Sequence, residues 1–288
     1  MATQIAFQGA PGAYSEAAIL RAFEAGVPRP CPAFEDVFGA VEAGAVDRGL
    51  VPIENAVFGS VRVNYDHLRR HAVVIVGELS LRIRHCLMAP EGASVEAVDT
   101  VRSHPQALGQ CRAWLKAHAP QATTEAVADT AGAARAVAEA ADPSVAAVAS
   151  RRAAEQYGLT VLATGLEDDS ENFTRFLVLA PDGTEAPSAG ASSRKTTLAF
   201  VLEENVPGAL YKSLAVFALR ELDLLKIESR PLVGHPGRYR FFLDVAGDVE
   251  EEALSRALNH LREITSELQV LGSYPYGPTY EAPDEAQA

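Results

Sequence analysis

The sequence predicts an α/β protein in two units: an open α/β unit of two lobes, then a smaller βαββαβ unit of ferredoxin-like order. Three observations carry this. Short apolar runs alternate with helical patterns up to about residue 180. A stretch rich in Gly, Pro, Ser and Ala, from Ala180 to Arg194, then breaks all hydrophobic periodicity. Beyond it, strands and helices recur in the order βαββαβ.

In the first unit, Ile5-Ala6-Phe7, Arg48 to Pro52, Val73 to Val76, Ala97 to Val101, Val145 to Ala149 and Phe176 to Leu179 are short and apolar enough for buried strands. Helical patterns fall at Ser15–Glu24, Phe34–Ala43, Ser60–Arg70, Pro105–His118, Thr130–Ala141 and Arg151–Tyr157. Val73 to Met88 is a long apolar and basic stretch with no helix start, which suits a crossing between lobes. Leu162 to Thr174 would cross back, leaving a cleft for a ligand. After the break, Lys195–Glu203 is a strand, Pro207–Glu221 a helix, and Leu224–Arg230 and Tyr239–Val245 strands around a Gly/Pro turn. Glu250–Leu261 is a helix and Glu267–Tyr274 a strand. The expected units are therefore 1–182, with lobes at about 1–76 plus 165–182 and at 77–164, a linker at 183–194, a second domain at 195–275 and a frayed acidic tail at 276–288.

The formal net charge of −13 argues against non-specific binding to nucleic acid or anionic membrane. An anionic ligand would need a local positive site against that background. The three cysteines, Cys31, Cys86 and Cys111, form no C-x-x-C pair, so neither a disulfide framework nor a zinc knuckle is expected. Reduced thiols, an N-terminus that runs straight into a strand, and no apolar run of membrane-spanning length point to the cytoplasm.

Several helix starts share one style. Gly9-Ala10-Pro11-Gly12-Ala13-Tyr14-Ser15 is a Gly-rich turn from strand to helix, and Ser103-His104-Pro105-Gln106 reads as a capping box. Asp129-Thr130 and Gly59-Ser60 open two more helices. Each turn fits plain capping; together, four helix N-termini on one cleft would hold a carboxylate without lysines. Pro52-Ile53-Glu54-Asn55 ends a buried strand, where a carboxylate and an amide fit either a ligand crevice or a turn. In Asn172-Phe173-Thr174-Arg175-Phe176, strand alternation puts Thr174 and Phe176 on one face and Arg175 on the other. Read locally, Arg175 fits a ligand contact or a salt bridge to Glu167, Asp168, Asp169 or Glu171. His67 and His71 have metal-ligand spacing but no third ligand, so a basic helix face is the better reading.

These segments resemble the prephenate dehydratases. Gly9 to Glu16, Pro52 to Asn55, Gly59-Ser60-Val61, Ser103 to Leu108, Gln110-Cys111, Asp129-Thr130-Ala131 and Asn172-x-Thr174-Arg175-Phe176 recur there in this order. Gly208-Ala209-Leu210 and Glu228-Ser229-Arg230-Pro231 resemble the phenylalanine-sensing motifs of that family's ACT domain. The likeness spans about residues 4 to 275, with one departure, Ala56 where the family usually has Ser. It implies a two-lobed catalytic domain like a type II periplasmic-binding protein, a C-terminal ACT domain, a homodimer or homotetramer, and no metal or cofactor. It implies that prephenate loses carbon dioxide and water to give phenylpyruvate, with arogenate the rival substrate and an aromatic-acid sensor the non-catalytic rival. It also implies roles. Thr174 and Arg175 would serve the departing hydroxyl and a substrate carboxylate, with Glu54 a rival acid. Asn55, Ser103, Gln106, Gln110, Thr130, Phe176, Tyr14 and Ser15 would position the substrate. Pro207, Gly208, Ala209, Leu210, Glu228, Ser229 and Arg230 would bind L-phenylalanine as effector.

Overall fold

The structure is a computed structural model and describes residues 2–187 and 193–281. The first lobe is built from β1 (Thr3–Gln8), α1 (Tyr14–Ala22), β2 (Gly26–Cys31), α2 (Phe34–Glu42), β3 (Arg48–Asn55), β4 (Gly59–Ser60), α3 (Arg62–Arg70) and β5 (Val73–Arg82). The second lobe follows with β6 (Cys86–Ala89), β7 (Thr100–Ser103), α4 (Pro105–Gln110), α5 (Arg112–His118), β8 (Thr123–Ala126), α6 (Thr130–Ala140), β9 (Val145–Ala149), α7 (Arg151–Tyr157) and β10 (Thr160–Thr164). β11 (Phe173–Pro181) returns to the first lobe.

The first-lobe sheet has the order β5-β11-β3-β1-β2, with β4 paired to β3. β2 carries Pro28 and Pro30, which cannot donate to a ladder, so its place at the sheet edge follows from its sequence. The second-lobe sheet has the order β10-β6-β9-β7-β8. The first crossing falls later than expected. β5 stays paired to β11 as far as Arg82, and the chain crosses at Ile83 to His85, not after residue 76. The return at 165–172 lies beside it, since the amides of Gly165 and Leu166 both donate to the His85 carbonyl.

The second domain contains β12 (Arg194–Leu202), α8 (Ala209–Ala218), β13 (Leu224–Pro231), β14 (Tyr239–Ala246), α9 (Glu252–Glu263) and β15 (Thr265–Pro275). Its sheet order, β13-β14-β12-β15, is that of a ferredoxin-like fold. One sheet face packs on α8 and α9 through Leu198, Phe200, Phe241 and Leu243. The other face, with Ala199, Phe242, Leu271 and Tyr274, joins the core of the first lobe around Ile53, Tyr65, Leu177 and Leu179. Docking is close: a Cβ on Gly272 would lie 2.2 Å from the Ile75 carbonyl oxygen. The expected frayed tail is partly ordered. β16 (Thr279–Tyr280) pairs with β5, and Arg21 sits over the Tyr280 ring; residues 282–288 lie outside the described residues. Of the expected linker, 188–192 also lie outside them.

Candidate active site

A cleft of about 600 Å³ lies between the two lobes, a volume ordinary for a small-molecule site. Four helix starts line it: Ala13 to Ser15 of α1, Ser60 and Val61 before α3, His104 and Gln106 of α4, and Asp129 and Thr130 of α6. Asn55, Gln110, Thr174 and Phe176 complete its polar and aromatic wall. No lysine or arginine is among these described lining residues. Positive potential in the cleft therefore comes from backbone amides and helix dipoles.

One irregularity builds the catalytic corner. In the β3–β11 ladder Arg175 pairs with Glu54 but Phe176 pairs with Pro52, so Ile53 is an extra residue in β3. A bulge of this kind breaks strict alternation. Ile53 and Glu54 consequently both face the ferredoxin-like domain, where Ile53 joins the shared core and Glu54 meets Lys226 Nζ at 2.7 Å. Asn55 is rotated to the cleft side, opposite Thr174. Its Oδ1 accepts from the amides of Val57 and Phe58, both at 3.1 Å, which fixes the side-chain amide. Its Nδ2 then donates to Asn172 Oδ1 at 2.8 Å and to Thr174 Oγ1 at 3.0 Å. With that lone pair taken, the Thr174 hydroxyl hydrogen is directed to the cleft.

Three expectations change here. Glu54 does not line the cleft; the bulge turns its carboxylate to Lys226. Arg175 does not line it either. It lies on the β11 face with Leu177 and Leu179, and its guanidinium pairs with Glu78 and Asp244, each at 2.7 Å. The local salt-bridge alternative also fails, because these partners are none of Glu167, Asp168, Asp169 or Glu171. Burial opposes the charge on Arg175, but Asp244 and Glu78 outweigh it and hold the guanidinium charged. Ser103 is fully buried, and its Oγ donates to the Val148 carbonyl at 2.5 Å. It does not cap α4. Pro105 is the first helical residue, so the cap is His104, whose Nδ1 accepts from the Gln106 amide.

Gln106, Gln110, Thr130, Phe176, Tyr14 and Ser15 all line the cleft. The Gly-rich turn plays a different part from an anion cradle. The Gly12 amide donates to Glu16 Oε2 at 2.6 Å, and the Gly12 carbonyl accepts from Ser150 Oγ of the second lobe at 2.6 Å. Gly12 has φ of 91°, and a Cβ there would lie 2.8 Å from Ala153 Cα, so only glycine fits this lobe–lobe contact.

His85, which no motif singled out, sits at the crossing between lobes and lines the cleft. Its Nε2–H donates to Gln110 Oε1 at 2.6 Å, and its Nδ1 accepts from the Tyr14 hydroxyl at 2.7 Å. Burial lowers its pKa, which suits the neutral ring these bonds require. The only sequence signal was a lone polar ring leading into the apolar run Cys86 to Ala89. The Tyr14 hydroxyl is likewise pushed well up by burial and stays protonated. His67 and His71 stack on Phe38, and His71 Nδ1 meets Glu42 Oε2 at 2.8 Å.

The seven expected effector residues divide between two sides. Pro207 to Leu210 lie at the start of α8. Ser229 pairs with Phe241, on the helix-packed face of the sheet. Glu228 and Arg230 point the other way, to the first lobe, where Glu228 accepts from Ser60 Oγ at 2.7 Å and Arg230 meets Asp66 at 2.8 Å.

The fold and this cleft agree with the comparisons. The prephenate dehydratase family profile matches residues 5–184, and the chain belongs to that family. It is 46% identical over 287 residues to arogenate dehydratase/prephenate dehydratase 2, chloroplastic, of Arabidopsis thaliana, with 96% of this chain and 74% of that protein covered. It superposes on a protein described as GqqA, a novel type of quorum quenching acylase, with TM-score 0.87 and 34% identity over 95% of this chain and 98% of that one. It is equally similar to prephenate dehydratase of Arthrobacter aurescens in complex with L-Phe, with TM-score 0.86 and 33% identity over 94% and 89%.

Proposed function

We propose that this chain is a dehydratase that converts prephenate to phenylpyruvate, with Thr174 at the departing hydroxyl. The carrying observation is that hydroxyl, exposed to the cleft and backed by Asn55 Nδ2 at 3.0 Å. In the reaction the bond from the ring to its carboxylate breaks, and carbon dioxide leaves. The electron pair enters the ring and expels the ring oxygen as hydroxide, which takes a proton from solvent to become water. A threonine is too weak an acid to protonate the oxygen unaided. Thr174 instead donates a hydrogen bond that spreads the developing charge, while Asn55 fixes its direction. Phe176 gives the ring an apolar wall. The substrate carboxylates lie against the amides at the starts of α4 and α6, with Gln106, Gln110, Thr130, Tyr14 and Ser15 completing the contacts.

The relatives' names favour a second substrate, arogenate, whose ammonium group replaces a keto oxygen. Asp129 is the only carboxylate residue among the described lining residues, and its Oδ1 already accepts from the Gly132 amide at 2.6 Å. That single, engaged carboxylate supports prephenate over arogenate. An acylase reading needs a nucleophile with a free base, and both His85 nitrogens are occupied.

In the same reading the ferredoxin-like domain is an ACT domain that binds L-phenylalanine beside Pro207 to Leu210 and Ser229 and inhibits turnover. The chain works as a homodimer or homotetramer, and its free thiols suit the cytoplasm. Purified protein is incubated with prephenate and with arogenate, and the products are identified. Phenylpyruvate from prephenate, with inhibition by added phenylalanine, is the expected result. Turnover of arogenate alone moves the assignment to that substrate, and turnover of neither overturns it.

A further inference from the structure

The Arg175 guanidinium is the centre of a buried ion cluster that joins two domains. Its Nε meets Glu78 Oε2 of β5, and its Nη2 meets Asp244 Oδ2 of β14, each at 2.7 Å; Nη2 also donates to the Tyr274 hydroxyl at 3.3 Å. Lys195 Nζ of β12 meets the other Glu78 oxygen at 2.6 Å. Thr197 Oγ1 donates to Asp244 Oδ1 at 2.7 Å. Two cations balance two carboxylates, and each of these four side chains is at least four-fifths buried. Lys195, Thr197, Asp244 and Tyr274 all come from the ferredoxin-like domain.

The cluster is anchored at a weak point of the sheet. The β3–β11 ladder shifts between Arg175 and Phe176. Backbone pairing at a bulge fixes the local pitch of a strand less well than a regular ladder does. Thr174 is the next residue, on the opposite face. Whatever holds the Arg175 side chain thereby sets where the Thr174 hydroxyl points.

We propose that Arg175 is a positioning residue for Thr174, held by Asp244 of the ferredoxin-like domain, so that this domain completes the catalytic corner. This rests on the dehydratase reading. It assigns Arg175 no contact with substrate, and it gives Asp244 a part in turnover although Asp244 is absent from the cleft lining. A displacement of about 1 Å at a reacting group can cost on the order of 100-fold in rate. Any change that loosens this docking surface would reach Thr174 by the same route.

The test uses the full chain carrying Arg175→Met, Asp244→Asn, or both. Each single variant is expected to lower kcat by about 10- to 100-fold with KM nearly unchanged. The double variant should be no worse than the poorer single one, because both remove the same anchor. A large rise in KM for Arg175→Met, with wild-type constants for Asp244→Asn, would assign Arg175 to the substrate and overturn the proposal. Should Arg175→Met fail to fold, Thr197→Val decides. It removes one bond to Asp244 without stranding a charge, and a wild-type kcat in both it and Asp244→Asn overturns the proposal. Amide exchange at residues 173–176 gives a readout free of activity. Faster exchange there in Asp244→Asn is expected even if wild type turns over neither substrate, and unchanged exchange overturns the clamp.

Discussion

The two faces of β11 are one residue apart and chemically opposite. The cleft face presents a hydroxyl and an aromatic ring, Thr174 and Phe176, with no ionised side chain bonded to either. The other face presents Arg175 within a four-charge cluster, followed by Leu177 and Leu179 in an apolar core. The contrast teaches that a motif read as one catalytic unit is split by strand geometry into a chemical half and a mechanical half. Residues that flank a reacting group in sequence need not share its environment.

The largest expected effect tests the chemical half. Thr174→Ala should keep the fold and lower kcat by about 10²- to 10⁴-fold, the range of general acid–base assistance, with little change in KM. Near-normal kcat in steady-state assays would remove Thr174 from the chemistry. Next, Ser103→Ala should leave the Val148 carbonyl without its buried donor and cost about 1–3 kcal/mol of stability. A fall in Tm with unchanged KM fits a structural serine, whereas a raised KM in a stable protein would return Ser103 to the substrate.

His85 lies on the cleft side and responds to pH. Its folded pKa is lowered, so the unfolded chain binds the proton first as pH falls through the ordinary histidine value of about 6.5. Stability from the neutral ring is therefore complete above that value and is lost on acidification below it. A Tm series across this range should fall less steeply for His85→Gln than for wild type. His67 and His104, also lowered by burial, are present in both proteins, so the difference reports His85. Parallel curves would show that His85 does not carry this dependence. The smallest effect is expected on the docking face. Glu54→Gln weakens a half-exposed pair with Lys226, with less than about 1 kcal/mol of stability at stake and kcat unaltered. A strong loss of kcat would restore Glu54 as the acid.

Much of this was legible in the sequence for local reasons. Period-2 alternation put Thr174 and Phe176 opposite Arg175, and the structure agrees. The roles implied by family resemblance then sent Arg175 to the substrate, against that alternation. Glu54 failed for the opposite reason: strict alternation does not foresee a bulge at Ile53, which is visible only once β11 supplies the register. The strands β6 and β10 were missed because Val73 to Met88 and Leu162 to Thr174 looked like connections; each is short and gains its ladder only from the other.

By itself the sequence determined the order of elements, the two-unit division and the helix starts that would face a ligand. Those follow from hydrophobic period, capping residues and Gly/Pro punctuation, which act over a few neighbouring residues. Only the tertiary structure decided where charges and amides point. Asn55 gained its partner Thr174 across 119 positions of chain, and Arg175 gained Asp244 from another domain. Such contacts depend on sheet register and domain docking, which no local pattern encodes.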